Sequence, residues 1–360
     1  MSTDTSPPSA QQPYADLTPE HALDILEALG LRVDGRLLQL NSYENRVFQV
    51  GLDDGGLVIA KFYRPGRWQD AQILEEHAFA LDLSKAEVPA VPPLTLSLPE
   101  SPWRTVTPGP SLLGSPATLG LAGGHRVAIS PRKGGRPPEL EDPDVLRWIG
   151  RFLARLHQVG DRRRFTHRTT LNVANTGRAA RQALAKSDLL SPDVATRWLD
   201  LADQALNLCE ELYARVPQLR LRRIHGDCHP GNILWTPEGP HFVDLDDACM
   251  GPAVQDLWML VSGDPRERQV QLHALLDGYE AIADFDWHEL ALIEALRTLR
   301  IIHHSHWLAR RWDDPAFPAA FPWFGEPTYW QGQCGLLMQQ IEAMREQLSP
   351  QPLDDDDRWG

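Results

Sequence analysis

The chain has 360 residues, enough for two or three domains with a substantial core, and a formal charge of −14. That sign excludes nucleic acid and anionic membrane as main partners, since both need a basic footprint, although an acidic cleft would still attract a cationic substrate. Four widely spaced cysteines (Cys209, Cys228, Cys249 and Cys334) contain no Cys-x-x-Cys pair, which suits a reducing compartment and argues against structural zinc.

Residues 1–16, rich in Ser, Pro, Thr and Gln, are expected to form a disordered N-terminus without the basic and apolar regions of a signal peptide. No apolar run approaches the ~18 residues that span a bilayer, so the sequence reads as cytoplasmic. Thr18-Pro19-Glu20 starts a helix that runs to Leu29. Strand signals follow through Val50, Phe62 and the proline-rich stretch from Val88 to Pro110, and Val127 to Ser130 is the last. Leu40 to Val50 puts a polar turn without glycine where a phosphate-covering hairpin belongs. Ser42 and neighbouring N–H groups are candidates to donate to phosphate oxygens, with Asn45 or Arg46 assisting; a plain polar turn is the alternative.

Val58 to Tyr63 sets a single lysine, Lys61, in an apolar β-prone run, like the Val-Ala-Ile-Lys strand whose lysine contacts nucleotide phosphates. The competing reading is a strand lysine snorkelling to solvent. A helix over Asp70 to Leu83, with Ile73, Leu74, Phe79, Ala80 and Leu81 as its apolar residues, follows at the right distance to carry a carboxylate for that lysine. Glu76 is the better partner and Glu75 the alternative. Pro131 to Pro138 then breaks regular structure, as a hinge offering backbone groups to adenine would. From Asp144 the pattern is helical: Val145, Ile149, Phe152, Leu153, Leu156 and Val159 share a face, and helices read over 195–216, 267–282, 288–312 and 329–347.

The segment Ile224 to Trp235, followed by Phe242-Val243-Asp244-Leu245-Asp246, carries the chemistry. A hydroxyl nucleophile in line with a γ-phosphate needs a carboxylate beside its proton that no metal consumes, and Asp227 fits. Magnesium takes a few oxygen ligands and leaves the rest of its shell to phosphates and water, a role for Asn232 and Asp244. Ile233 to Trp235 and His241 to Val243 form a hairpin across Thr236 to Gly239 that returns Asp244 beside Asn232. An acidic surface turn is the bland reading of Asp-x-x-x-x-Asn alone.

Other features read as structure. His157, His303, His304 and His306 are expected to be packed or cleft-lining, Cys228 a packed thiol, and Arg162 to Arg164 and Arg220 to Arg223 solvated surface. The Asp354 to Asp357 run lacks the glycine and distal glutamate of a calcium loop.

The blocks His225-Gly226-Asp227 to Asn232, Val243 to Asp246 and Gln255-Asp256-Leu257-Trp258 resemble the aminoglycoside phosphotransferase and choline kinase superfamily, whose fold is similar to that of protein kinases. Leu40 to Val47, Lys61 to Pro65, Ile73 to His77, Gly134-Gly135-Arg136 and Arg311 to Pro318 narrow the resemblance to a bacterial stress-response Ser/Thr kinase branch. The resemblance implies an α+β, bilobal fold with a small β-rich N-lobe over 17–133, a larger mainly helical C-lobe over 134–348 and an acidic tail over 349–360. It implies ATP and Mg²⁺, Asp227 as proton acceptor, Asn232 and Asp244 as metal ligands, and Ser42, Lys61 and Glu76 at the nucleotide. Asp256 would brace the catalytic loop. The implied acceptors are Ser/Thr hydroxyls of proteins, the chain itself included, and the shared architecture leans monomeric.

Departures from ordinary protein kinases are His-Gly-Asp for His-Arg-Asp, Asp-Leu-Asp for Asp-Phe-Gly, and only 11 residues between Asp244 and Asp256, too few for a long activation loop. A small-molecule kinase is the alternative that the catalytic loop does not separate. A pseudokinase is disfavoured because Lys61, Asp227, Asn232 and Asp244 are all present.

Overall fold

The structure is a computed structural model that describes residues 13–96, 104–105, 117–216 and 218–349. Most of the expected disordered start, much of the proline-rich stretch beyond Leu96, and the acidic tail with Asp354 to Asp357 lie outside these residues. The described residues fall into two compact units, one within 13–169 and 221–285 and the other within 170–220 and 286–349.

In the first unit, helix α1 (Pro19–Ala28) starts where the Thr18 hydroxyl accepts from the His21 N–H and proline occupies the first turn. An antiparallel sheet follows, built from β1 (Val33–Leu40), β2 (Arg46–Leu52), β3 (Leu57–Phe62), β4 (Arg104–Thr105), β5 (Gly120–Ala122) and β6 (His125–Pro131) in the order β1-β2-β3-β6-β5-β4. Alternation along β3 decides what each face does. Val58, Ala60 and Phe62 bury themselves with Ile25 and Leu26 of α1, whereas Lys61 lies on the other face, in register with Ala128 of β6. Helix α2 (Asp70–Lys85) covers that second face through Ile73 and Leu74, which cluster with Ala128.

Part of the segment expected to be mobile is instead packed. Tyr14 is buried in the cluster that contains Phe62, and its hydroxyl donates to the Phe62 carbonyl at 3.0 Å, giving the ring's polar end a partner.

Helix α3 (Pro143–Gly160) opens on an Asp142 cap. The chain then enters the second unit, which contains α4 (Ala179–Leu184), preceded by a π-helical turn at Val173–Arg178, and α5 (Pro192–Ala214). It returns to the first unit as β7 (Arg222–Ile224), a 3₁₀ turn (Pro230–Asn232), β8 (Ile233–Thr236), β9 (Gly239–Phe242), β10 (Cys249–Gly251), α6 (Val254–Trp258) and α7 (Pro265–Glu280). β8 and β9 form the expected hairpin, with Ile233 opposite Phe242, and β7 pairs with β10. α3 and α7 approach backbone to backbone. A Cβ on Gly150 would lie 2.1 Å from the Leu275 carbonyl oxygen and one on Gly278 2.0 Å from that of Arg147.

The expectation that Arg220 to Arg223 is solvated surface fails at Arg222 and Arg223, which are buried on β7. Arg223 donates to the Val159 carbonyl at 2.9 Å and to Asp82 at 3.2 Å, so a guanidinium closes the C-terminal end of α3 where sequence showed only a charge run.

The second unit adds α8 (Ile293–Ala309), α9 (Ala316–Ala320) and α10 (Pro327–Leu348). Its core brings Trp198 of α5 together with Phe317, Phe324 and Trp330. His304 stacks on Trp307, but His303 and His304 are solvent-exposed rather than packed in the core. The whole is an α+β fold, a small N-terminal antiparallel sheet followed by a larger helical part. No described helix is long and apolar enough to cross a membrane.

Candidate active site

The loop between β7 and the 3₁₀ turn is fixed from below by one carboxylate. Asp256, fully buried at the start of α6, accepts from the His225 N–H at 2.7 Å and the Gly226 N–H at 2.8 Å. His157 of α3 lies 3.1 Å from the same carboxylate through Nε2 and 3.0 Å from the Tyr279 hydroxyl through Nδ1. Gln255 adds a bond to the Gly226 carbonyl at 3.0 Å. Gly226 itself has φ +84, and a Cβ there would meet the Asp247 carbonyl oxygen at 2.3 Å, so the turn that presents Asp227 admits only glycine. Cys228, the next residue but one, is a buried thiol whose pKa burial pushes up.

Asn232 is tied to Asp227: its Nδ2 donates to the Asp227 carbonyl at 2.9 Å. Across the hairpin, the Val243 N–H donates to the Asn232 carbonyl at 3.0 Å, and Asp244 comes next. Asp244 has φ +58, left-handed backbone that aspartate tolerates better than most residues, and its side chain is about half exposed (52%). His225 closes the arrangement, with Nε2 3.0 Å from the Val243 carbonyl. The loop carrying Asp227 and the loop carrying Asp244 are therefore one hydrogen-bonded body.

Lys61 reaches that body from β3. Its Nζ is 3.0 Å from Asp244 Oδ1 and 3.2 Å from Asp246 Oδ1. Burial disfavours the charged amine, but Asp244, Asp246 and Glu76 outweigh it and raise the lysine pKa well above the usual value. Glu76 makes no ion pair with Lys61. It is buried, its Oε2 has no hydrogen-bond partner, and burial lifts its pKa to about 7 against the pull of Lys61. Glu75, the alternative, is committed elsewhere: its carboxylate accepts from the N–H groups of Thr166, His167 and Arg168 and from the Thr166 hydroxyl, at 2.7–3.0 Å.

Asp246 is the residue whose importance sequence understated. It is buried and takes the Arg67 guanidinium, the Asn45 amide at 3.1 Å and the Lys61 ammonium. Burial opposes its charge, but Arg67, Lys61 and Arg168 hold the carboxyl below the usual carboxylate range. The only signal was the motif Asp-Leu-Asp, with Asp246 where protein kinases have glycine.

In the turn after β1, Ser42 Oγ accepts from the Asn45 N–H at 3.3 Å. Asn45 does not face outward as a phosphate donor. Its Oδ1 accepts from the Arg64 N–H at 3.1 Å while its Nδ2 reaches Asp246, so it pins the turn to the Asp244–Asp246 loop. Arg46 lies over the Tyr14 ring, 4.9 Å from its centroid.

A kinase-like α+β fold with a braced Asp227 loop, Asn232, Asp244 and a strand lysine defines a phosphotransferase. The chain belongs to the phosphotransferase enzyme family, whose profile matches residues 36–293, and it is a kinase. It is 42% identical over 340 residues to stress response kinase A of Salmonella choleraesuis, covering 94% of this chain and 97% of that protein. It is 41% identical, with the same coverage, to a protein of Salmonella typhimurium named serine/threonine protein kinase RdoA, and 39% identical to stress response kinase A of Escherichia coli K12. Two solved structures share the fold. Amicoumacin kinase hAmiN, in complex with AMP-PNP, Ca²⁺ and Ami, matches with a TM-score of 0.64 at 17% identity, over 94% of this chain and 97% of that one. A microcompartment-associated aminopropanol kinase matches with a TM-score of 0.65 at 20% identity, over 91% and 98%.

Proposed function

We propose that this kinase uses ATP and Mg²⁺ to phosphorylate Ser/Thr hydroxyls of proteins, itself included, in a bacterial stress response. The observation that carries the protein-acceptor reading is the identity of 41% to a relative named as a serine/threonine protein kinase, over 94% of the chain. In this reading residues 17–133 are the nucleotide-covering lobe and 134–348 the lobe with the catalytic loop. The enzyme works as a cytoplasmic monomer.

The residues fit the divalent ion. The Asn232 amide spends its Nδ2 on the Asp227 carbonyl, which leaves Oδ1 as the donor, and Asp244 offers a half-exposed carboxylate whose Oδ1 also meets Lys61; hard oxygen donors suit magnesium. When bound, Mg²⁺ would neutralise charge on the phosphate oxygens. Asp227 accepts the proton of the acceptor hydroxyl as the oxygen becomes nucleophilic, and the Asp256 clamp on His225 and Gly226 keeps that carboxylate in place. Lys61 brings a fixed positive charge to the nucleotide phosphates, and Glu76 behind it supplies the compensating charge when ionised. Ser42 accepts from the Asn45 N–H and so retains its own O–H proton to donate to a phosphate oxygen.

The test is to incubate the purified chain with labelled ATP, Mg²⁺ and either a generic protein acceptor or a panel of amino alcohols and aminoglycosides. Phosphoserine or phosphothreonine on protein supports the reading. Label confined to small hydroxyl compounds overturns it.

A further inference from the structure

Among the described residues outside the Asp227–Asp244 site, one cluster has the chemistry of a metal site. Asp16, His21 and His125 each bring a ligand atom within 4.8 Å of the others. His125, at the start of β6, is only 5% exposed, yet neither of its ring nitrogens has a hydrogen-bond partner. Its Nε2 sits 3.2 Å from Asp16 Oδ1, close enough for an ion pair but outside hydrogen-bond geometry. A buried imidazole left unsatisfied beside a carboxylate is costly unless something between them accepts both lone pairs. Two ligands about 2.0–2.1 Å from a tetrahedral ion stand about 3.3 Å from one another, close to the 3.2 Å between Asp16 and His125, and the third ligand atom, within 4.8 Å of both, would have to close in on the ion.

The third ligand is prepared in the same sense. His21 Nδ1 lies 2.8 Å from the Asp16 carbonyl, which places its proton there and leaves the lone pair on Nε2. That nitrogen lies over Gly123, where a Cβ would approach it to 2.8 Å. The Tyr14 ring stacks on His125 and the Phe62 ring meets it edge-on, giving the site an apolar wall.

We infer that Asp16, His21 and His125 bind one Zn²⁺, with water in the fourth position, and that the ion clips the segment before α1 and the first turn of α1 to the β5–β6 hairpin. Two imidazoles and one carboxylate are a borderline set that favours zinc over the hard ions suited to Asn232 and Asp244. β6 pairs with β3, so the clip stiffens the sheet that carries Lys61.

The experiment is a zinc titration of the full chain against a chromophoric chelator, with excess Mg²⁺ to cover the oxygen-donor site, beside Asp16→Asn and His21→Gln. These two positions are partly or largely exposed, so both variants should fold; matching far-UV circular dichroism checks this. One zinc per chain is expected, bound below micromolar and at least ~100-fold more weakly in each variant. The thermal midpoint should rise by roughly 5 °C at 100-fold excess over Kd in the parent chain and in neither variant. No submicromolar zinc, or zinc binding that survives both substitutions, overturns the inference, whatever the fate of the kinase assignment.

Discussion

The ammonium of Lys61 lies 3.0 Å from Oδ1 of Asp244, joining β3 to the loop that follows β9 across 183 positions of sequence. This bond, with the second one to Asp246, puts a strand cation, a metal-ligand candidate and a buried anion into one electrostatic unit.

Asp244→Asn removes the carboxylate charge and keeps a side chain suited to left-handed backbone. Turnover should fall by at least ~100-fold, while stability changes by less than about 1 kcal/mol, because the side chain is half exposed. Steady-state phosphotransfer and urea unfolding measure the two effects separately.

Asp256→Ala leaves the His225 and Gly226 N–H groups and His157 without their shared acceptor in a fully buried place. A loss of about 3 kcal/mol is expected, with Asp256→Asn losing less because one acceptor oxygen remains. Urea midpoints of the two variants give the comparison, and equal stabilities would contradict the clamp.

Gly226→Ala forces a side chain against the Asp247 carbonyl oxygen in backbone that disfavours it. The turn must shift, so kcat should drop by at least ~10-fold, since misplacing the proposed base by about an ångström can cost about 10²-fold. Far-UV circular dichroism should stay close to that of the parent.

His77 supplies a pH test. It bridges the Tyr63 hydroxyl and Thr118 at 2.8 Å each, and burial, aided by Lys61 and Arg168, pushes its pKa from 6.5 down to about 3. Between those values the unfolded chain holds a proton that the folded chain refuses, so acidification destabilises the fold. The stability advantage of the parent over His77→Gln should shrink by about 1.4 kcal/mol per pH unit as pH falls from about 6 toward about 4. Taking the difference removes groups common to both chains, including Glu76, whose raised pKa works in the opposite sense. A flat difference would refute the buried neutral imidazole.

That Asp227, Asn232 and Asp244 come together was legible in the sequence because a short loop and a tight hairpin carry them, so their spacing is a local property. The β3 lysine was legible for the same reason: alternation alone places Lys61 opposite Ala60 and Phe62. What sequence could not show are partners far apart in the chain. Glu75 and Glu76 are adjacent and chemically alike, and only the loop at Thr166 to Arg168, some 90 positions on, takes one and leaves the other. Asn45 looked like a phosphate donor because a polar turn gives no sign that Asp246, 201 positions away, will occupy its amide. Arg222 and Arg223 looked solvated because a charge run says nothing of the carbonyls and carboxylates that fold over it. His21 and His125 sit on different elements, and no spacing rule joins them.

The most direct test of the central claim is single-turnover transfer from labelled ATP by Asp227→Asn, with nucleotide affinity measured on the same sample. In the proposed mechanism Asp227 takes the hydroxyl proton and does not hold the nucleotide, so transfer should fall by about 10²–10⁴-fold while the Kd for ATP stays within about twofold. Transfer within tenfold of the parent would show that another group takes the proton and that the site has been assigned wrongly.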